Sequence, residues 1–121
     1  MHELSIALSM IEMASVEAAR HDATRVSALH LKLGPLSGVV KEALTFSFEI
    51  ACDGTPLEGT QLIIEDVPVV IHCERCETDE LIANIQDLRC PRCGELAPEI
   101  IQGRELELVS LELAELEEVT I

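Results

Sequence analysis

Residues 72–94 read HCERCETDELIANIQDLRCPRCG, and the four cysteines in this stretch decide how the middle of the chain folds. Cys73 and Cys76 form one Cys-x-x-Cys hook, and after thirteen intervening residues Cys90 and Cys93 form a second. Each hook presents two sulfur atoms on one side of a tight turn, so two hooks can complete the tetrahedral thiolate shell that Zn2+ prefers. The spacing therefore predicts a structural zinc site.

The two hooks differ in the residues that help them turn. Pro91 presets one backbone angle of the second hook, and Gly94 can adopt the positive φ that such a turn often needs. The first hook has neither residue. Two disulfides or a rubredoxin-like iron centre are the alternatives to zinc, although this segment contains no aromatic residue to shield an iron site.

The apolar pattern predicts two helices and a strand in the first half of the chain. Residues 25–33 alternate as a half-exposed strand, with His30 on its solvent side. Ser37 is expected to cap a second helix from about Val39 to Cys52. The first helix is expected from Leu4 to Arg20, with a stripe of Leu4, Ala7, Leu8, Ile11, Ala14 and Ala18 widened by Ile6, Met10 and Met13. The buried side of the second helix is expected to consist of Val40, Leu44 and Phe48.

Two more strands complete the expected fold. Gln61–Val67 and Arg104–Leu113 are predicted strands, and Glu115–Ile121 is expected to be a frayed acidic tail. Residues 69–99 cannot bury enough apolar surface alone, so this segment should need metal to fold. The sequence therefore predicts an α+β fold, in which a three-stranded mixed sheet is covered by two helices and carries an inserted four-cysteine zinc ribbon.

The charge of the chain limits its possible partners. The formal net charge is -15. Residues 70–98 hold six acidic residues against three arginines, whereas nucleic-acid binding needs clustered Lys and Arg to neutralise phosphates. We therefore expect no nucleic-acid partner. The acidic surface fits metal-cation handling, a basic partner protein or simple solubility.

The sequence also predicts where the protein is located. Residues 1–20 contain no basic residue before Arg20, unlike a secretory or organelle-targeting segment. No apolar run reaches membrane-spanning length, so no membrane association is expected. Cysteines spaced for zinc predict a reducing cytoplasm. The fifth cysteine, Cys52, is expected to be a buried core thiol.

The first three residues, Met1-His2-Glu3, can bind a different metal ion. The α-amine of Met1, the backbone nitrogen of His2 and its imidazole Nδ1 can form fused chelate rings in one plane, which suits Ni2+ or Cu2+. A fourth corner is left for Glu3, another histidine or a ligand from a partner. A receiving protein can attack at that corner, so the pattern predicts a transferable ion. An ordinary chain start is the alternative.

Several short motifs occur together along the chain. They are M-H-E-L-S at residues 1–5, K-L-G-P-L-S-G at 32–38, F-x-F at 46–48, L-E-G-T at 57–60, and C-x-x-C followed by C-P-x-C-G. In this combination the chain resembles the HypA/HybF hydrogenase nickel-incorporation proteins over essentially its full length. The resemblance implies a cytoplasmic nickel metallochaperone for the large subunit of [NiFe] hydrogenase. It would work with the accessory GTPase HypB and in some organisms assist urease maturation.

The resemblance also implies roles for particular residues. Ni2+ would be bound by His2 and the Met1 amine, with Glu3 adjoining, in a discontinuous nickel-binding α/β domain of residues 1–68 and 100–121. Structural Zn2+ would be bound in the ribbon domain, residues 69–99, by Cys73, Cys76, Cys90 and Cys93. Some members have histidines beside the hooks that take part in nickel binding. Here His72 occupies such a place, either in that role or as the entry to the ribbon.

Two other classes of function compete with nickel delivery. A zinc-ribbon adaptor would use its metal only structurally and recruit a basic partner through its acidic surface. An enzyme would need a nucleophile with a general base, a phosphate-binding loop or an open metal position, and the sequence shows none of these. We therefore expect the chain not to be an enzyme.

Overall fold

The computed structural model describes residues 3–23, 25–96, 99–114 and 118–121. Contacts divide the chain into two compact units. Unit 1 comprises Met1–Lys32, Val39–Glu65 and Glu107–Ile121, and unit 2 comprises Leu33–Gly38 and Asp66–Leu106. In chain order the elements are α1 (Glu3–Arg20), β1 (Val26–Leu33), a 3-10 helix (Pro35–Ser37), α2 (Lys41–Cys52), β2 (Gln61–Asp66), β3 (Val69–Cys73), β4 (Thr78–Ile82), β5 (Glu99–Gln102), β6 (Leu106–Leu113) and β7 (Glu118–Thr120).

The predicted first helix is confirmed, but its buried stripe lies further round the helix than expected. Leu4 and Leu8 are 47% and 53% exposed, respectively. Both flanks of the stripe are apolar in the sequence, so helical spacing alone cannot decide which flank faces the core. The buried residues are Ile6, Ala7, Met10, Ile11, Ala14 and Ala18.

The second helix is also confirmed, and its N-terminus differs from the prediction. α2 begins at Lys41, and its N-cap residue, Val40, makes no side-chain capping bond. Ser37 does not cap it, because Ser37 is the last residue of the 3-10 helix Pro35–Ser37, which Gly38 follows as C-cap residue with φ 81. Val40 is 56% exposed and is not part of the buried side, contrary to the prediction. Leu44 and Phe48 are buried as predicted.

The sheet of unit 1 has the strand order β2-β1-β6-β7. β1 and β2 run parallel, because Thr60 Oγ1 donates to the carbonyl of Val26 at the start of β1 and the backbone N–H of Val67 donates to Leu33 at its end. β6 and β7 run antiparallel. The predicted mixed sheet is therefore confirmed, with one strand more than expected.

The extra strand comes from the segment predicted to fray. Residues 118–120 form β7, which pairs with the end of β6. Val119 lies opposite Leu111, and both side chains are buried. A single valine on the inner side of an acidic stretch gives too short a pattern for a strand to be predicted.

One face of this sheet packs against both helices. The core contains buried residues of α1, α2, β1, β6 and β7. Phe48 is 1% exposed and belongs to this core, whereas Phe46 is 65% exposed. Burying one such aliphatic or aromatic side chain stabilises the folded state by roughly 1.5–3 kcal/mol relative to leaving it exposed. The packing of the two helices on the sheet therefore forms the hydrophobic core of unit 1.

Unit 2 contains a separate three-stranded sheet with the order β4-β3-β5. β3 is antiparallel to both neighbours. Its small core consists of Val69, Ile71, Cys73, Ile82 and Cys90, packed against Leu36, Cys76, Leu88, Cys93 and Ile100. Four of these ten side chains are the hook cysteines, so the core of unit 2 is built around the sulfur atoms.

The Gly-Pro-Leu-Ser-Gly turn belongs to unit 2, and its backbone contacts residues 103–105, which follow β5. Gly34 N–H donates to Glu105 at 2.8 Å, and Leu36 N–H donates to Gly103 at 2.8 Å. A Cβ on Gly34 would lie 2.1 Å from the carbonyl oxygen of Gly103. Only glycine permits this close approach of the two backbones.

Candidate metal centre

The four hook cysteines converge at the end of the small sheet of unit 2. Cys73 is the last residue of β3, and Cys76 lies in the turn that leads into β4. Cys90 and Cys93 lie in a second turn, which is closed at its base by a bridge between Arg89 and Leu96. One ligand atom from each cysteine lies within 4.8 Å of the other three.

The sulfur positions fit one tetrahedral ion. The Sγ atoms of Cys73 and Cys93 are 3.5 Å apart, and those of Cys76 and Cys90 are 4.0 Å apart. Four sulfurs bound to zinc at about 2.3 Å lie about 3.8 Å from one another. All five cysteines are free thiols. The donor set therefore fits a closed four-thiolate site, and the two-disulfide alternative has no support.

The backbone of the second hook turns as the sequence predicted. Gly94 has φ 79, and its N–H donates to the carbonyl of Cys90 at 2.9 Å. In the first hook the corresponding residue is Glu77, which has φ 55. A left-handed conformation costs a non-glycine residue about 1–2 kcal/mol. The first hook thus carries backbone strain that the second avoids.

The thiol groups differ in their tendency to ionise. Burial raises the pKa of the Cys90 thiol, but N–H donors from Cys93 and Arg92 outweigh this effect and lower that pKa to about 7. Burial and hydrogen bonds with the other thiols raise the pKa of Cys76 to about 12. A bound cation deprotonates such thiols outright.

His72 lies beside the hooks without facing the sulfur atoms. Successive residues of a strand point to opposite faces, and Cys73 is buried whereas His72 is half-buried. Its Nδ1 lies 2.7 Å from Oδ1 of Asp79, the residue opposite on β4. This hydrogen bond raises the pKa of His72. With Nδ1 occupied, only Nε2 of His72 is left for a metal.

Comparison with known proteins decides the family. Residues 1–113 match the family model described as "Hydrogenase/urease nickel incorporation, metallochaperone, hypA". The chain belongs to the HypA family. A relative from Chloroflexus aurantiacus, named hydrogenase maturation factor HypA, is 53% identical over 112 residues, covering 93% of this chain and 98% of its own. One of the same name from Thermomicrobium roseum is 43% identical over 128 residues, covering 93% and 98%.

Two solved structures of HypA proteins share the fold. The solution structure of the Ni metallochaperone HypA from Helicobacter pylori is 25% identical, with a TM-score of 0.64, and the match covers 93% of this chain and 97% of that one. A second HypA solution structure is also 25% identical, with a TM-score of 0.69 over 93% and 96%. The resemblance inferred from the motifs is confirmed, and so is the α+β fold with its four-cysteine cluster.

The HypA nickel ligands expected at the chain start are only partly within the described residues. Met1 and His2 lie outside them. Glu3 is the first residue of α1 and is half-buried. A carboxylate in the first turn offsets the partial positive charge of a helix N-terminus. Glu3 therefore reduces the electrostatic repulsion between this end of α1 and a cation.

Two further expectations concern the rest of the molecule. Cys52 is 3% exposed within the core of unit 1, as predicted. Burial raises the pKa of its thiol to about 11. Among the described helices, none combines the length and apolarity needed to cross a lipid bilayer.

Proposed function

We propose that this chain is a nickel metallochaperone that binds Ni2+ through the Met1 amine and His2, with Glu3 adjoining, and delivers it to the large subunit of [NiFe] hydrogenase. The accessory GTPase HypB is its partner in delivery, and Zn2+ in the four-cysteine site is structural. The observation that carries this proposal is the family match, which begins at residue 1 and includes both the chain start and the four cysteines.

The chemistry of the cysteine cluster supports a separate place for the transferred ion. Four thiolates complete a tetrahedral shell, so a four-cysteine site has no open position through which an ion is handed on. The cysteines also supply much of the core of unit 2. Loss of their ion would cost this unit its fold, and a carrier that unfolds at each delivery is a poor carrier.

The chelate at the chain start has the opposite character. Three nitrogen ligands in one plane leave a corner that an incoming ligand of the recipient can occupy. Transfer then proceeds by exchange, in which each bond to the carrier breaks as a bond to the recipient forms. The net charge of -15 favours the approach of a divalent cation over long distances.

The proposal is tested by reconstituting nickel delivery with purified HypB and the hydrogenase large-subunit precursor. The zinc-loaded chain and its His2→Ala variant are each charged with Ni2+, and nickel in the precursor is measured after separation. We expect delivery from the parent chain and its loss in His2→Ala, with zinc content and circular dichroism unchanged. His21→Ala, at the exposed turn after α1, is the matched control and should deliver normally.

The adaptor alternative gives the opposite pattern. If zinc is purely structural and the protein only joins partners, His2→Ala supports maturation as well as the parent does whenever Ni2+ is present in the mixture. Equal delivery by the two proteins would overturn the nickel-carrying role and leave the adaptor.

A further inference from the structure

The sheet of unit 1 carries a second group of metal-ligating side chains. His30 on β1, Glu112 on β6 and Glu118 on β7 each place one ligand atom within 4.8 Å of the other two. All three residues belong to unit 1, and the sulfur cluster of unit 2 shares none of them. The register of three neighbouring strands, rather than any sequence motif, brings the group together.

The register of β6 and β7 places two negative charges face to face. Glu112 is paired directly with Glu118 across the antiparallel ladder. Like charges at directly opposite positions destabilise a strand pair. A cation shared by both carboxylates would remove this repulsion.

The imidazole of His30 has an unused ligand atom beside these carboxylates. Its Nε2 lies 3.5 Å from Oε1 of Glu112. Nε2 is shielded from solvent and has no hydrogen-bond partner among the described residues. The lone pair of a ring nitrogen is the ligand that histidine offers to a metal ion.

We propose that His30, Glu112 and Glu118 bind an exchangeable divalent transition-metal ion. One imidazole nitrogen and two carboxylate oxygens suit borderline ions such as Zn2+, Ni2+ or Co2+, whereas Ca2+ and Mg2+ take oxygen ligands. Ligand atoms bound to one ion at about 2.1 Å lie roughly 3.0–3.4 Å apart. The pair formed by His30 and Glu112 already has nearly this spacing, and the exposed Glu118 can rotate to complete the site.

Three protein ligands leave at least one coordination position for water or a competing ligand, so the ion can be exchanged. The competing explanation is an ion pair only, in which a protonated His30 or the neighbouring Lys32 neutralises the two glutamates. Strand alternation places Lys32 on the same side of β1 as His30. Metal titration distinguishes these explanations.

The experiment uses the full zinc-loaded chain with one glycine before Met1 and with His2→Ala, so that the proposed terminal chelate is absent. NiSO4 is titrated by calorimetry, and X-ray absorption at the nickel edge reports the ligands. We expect about one further equivalent of Ni2+, with nitrogen and oxygen ligands and no sulfur. His30→Gln and Glu118→Gln should each weaken this binding about tenfold or more. The control substitution His21→Gln, made in the same glycine-extended His2→Ala protein, should leave its nickel affinity unchanged.

The two substitutions protect the test against simple misfolding, because Glu118 is exposed at the start of β7. Absence of nickel binding beyond the zinc site in the background protein would overturn the proposal. So would binding that both substitutions leave unchanged, or a nickel edge dominated by sulfur. Because the terminal chelate is absent in this protein, none of these three outcomes bears on the proposed delivery function.

Discussion

A methyl group added at Gly34 is the perturbation whose consequence the structure specifies most closely. Gly34 has the extended conformation φ -97, ψ 149, which any residue adopts. The obstacle to alanine is therefore contact alone. Its Cβ would lie 2.1 Å from the carbonyl oxygen of Gly103, whereas ordinary contacts begin at 3.4 Å. The obstructing atom is backbone, so the two segments must move apart by more than about 1 Å.

The magnitude follows from the hydrogen bonds that this movement disrupts. Gly34 N–H donates to Glu105, Leu36 N–H donates to Gly103 and Val67 N–H donates to Leu33, at 2.8–2.9 Å. Each such bond contributes about 1 kcal/mol net. Alanine restricts the unfolded chain and returns about 0.5 kcal/mol. Gly34→Ala should therefore lower the free energy of unfolding of unit 2 by about 2–3 kcal/mol.

The assay is urea denaturation of the zinc-loaded protein, with zinc release to a chelating dye as the signal specific to unit 2. Gly38→Ala is the matched control. Gly38 has φ 81 with nothing within 4 Å of an added Cβ, so that variant bears only a conformational cost of about 1–2 kcal/mol. The reasoning would be refuted if Gly34→Ala released zinc at the same urea concentration as the parent protein. It would also be refuted if Gly34→Ala released zinc at a higher urea concentration than Gly38→Ala does.

Three further predictions concern the cysteines and their turns. Cys90→Ser removes one ligand of the four-cysteine set, and we expect loss of zinc by elemental analysis together with loss of strand signal by circular dichroism; full zinc retention would contradict the assigned ligand set. Gly94→Ala should destabilise the second hook by about 1 kcal/mol in a zinc-chelator competition, because Gly94 has φ 79 and an added methyl group meets no neighbour. An unchanged chelator midpoint would show that the positive φ is not needed there. Burial raises the pKa of the Cys52 thiol from 9.0 to about 11, so the stability held by its neutral form is present below pH 9 and is lost as pH rises through 11. The thermal unfolding midpoint should fall between pH 9 and pH 11, and it should fall less in Cys52→Ala. If the midpoints of the two proteins fell in parallel over this pH range, ionisation of Cys52 would not be the cause.

Much of the fold can be predicted from local sequence patterns. The spacing of Cys73, Cys76, Cys90 and Cys93 is enough to predict their convergence, because two short hooks can close only one shell. The glycine after the second hook has the positive φ that its position requires. The extents of α1 and α2 follow from helical spacing over three or more turns.

Other features depend on partners that are distant in the sequence. Val40 and Leu8 are exposed although they are apolar, because both helices are apolar on more than one side and only the packed sheet selects the buried side. The sequence favours Ser37 as a helix cap, but Pro35 starts a 3-10 helix that ends at Ser37 instead. The group of His30, Glu112 and Glu118 is invisible until the register of β1, β6 and β7 is known.

The central claim is that two metals are held by two chemistries, with nitrogen at the chain start carrying nickel and sulfur in unit 2 retaining zinc. The most direct measurement is the nickel affinity of the authentic chain beside that of a chain with four glycines added before Met1, with four glycines added after Ile121 as the control for added length. The account predicts that the N-terminal glycines separate the terminal amine from His2 and weaken nickel binding about tenfold or more, while zinc content stays constant and the C-terminal glycines have no effect. Equal nickel affinity in all three proteins would contradict it.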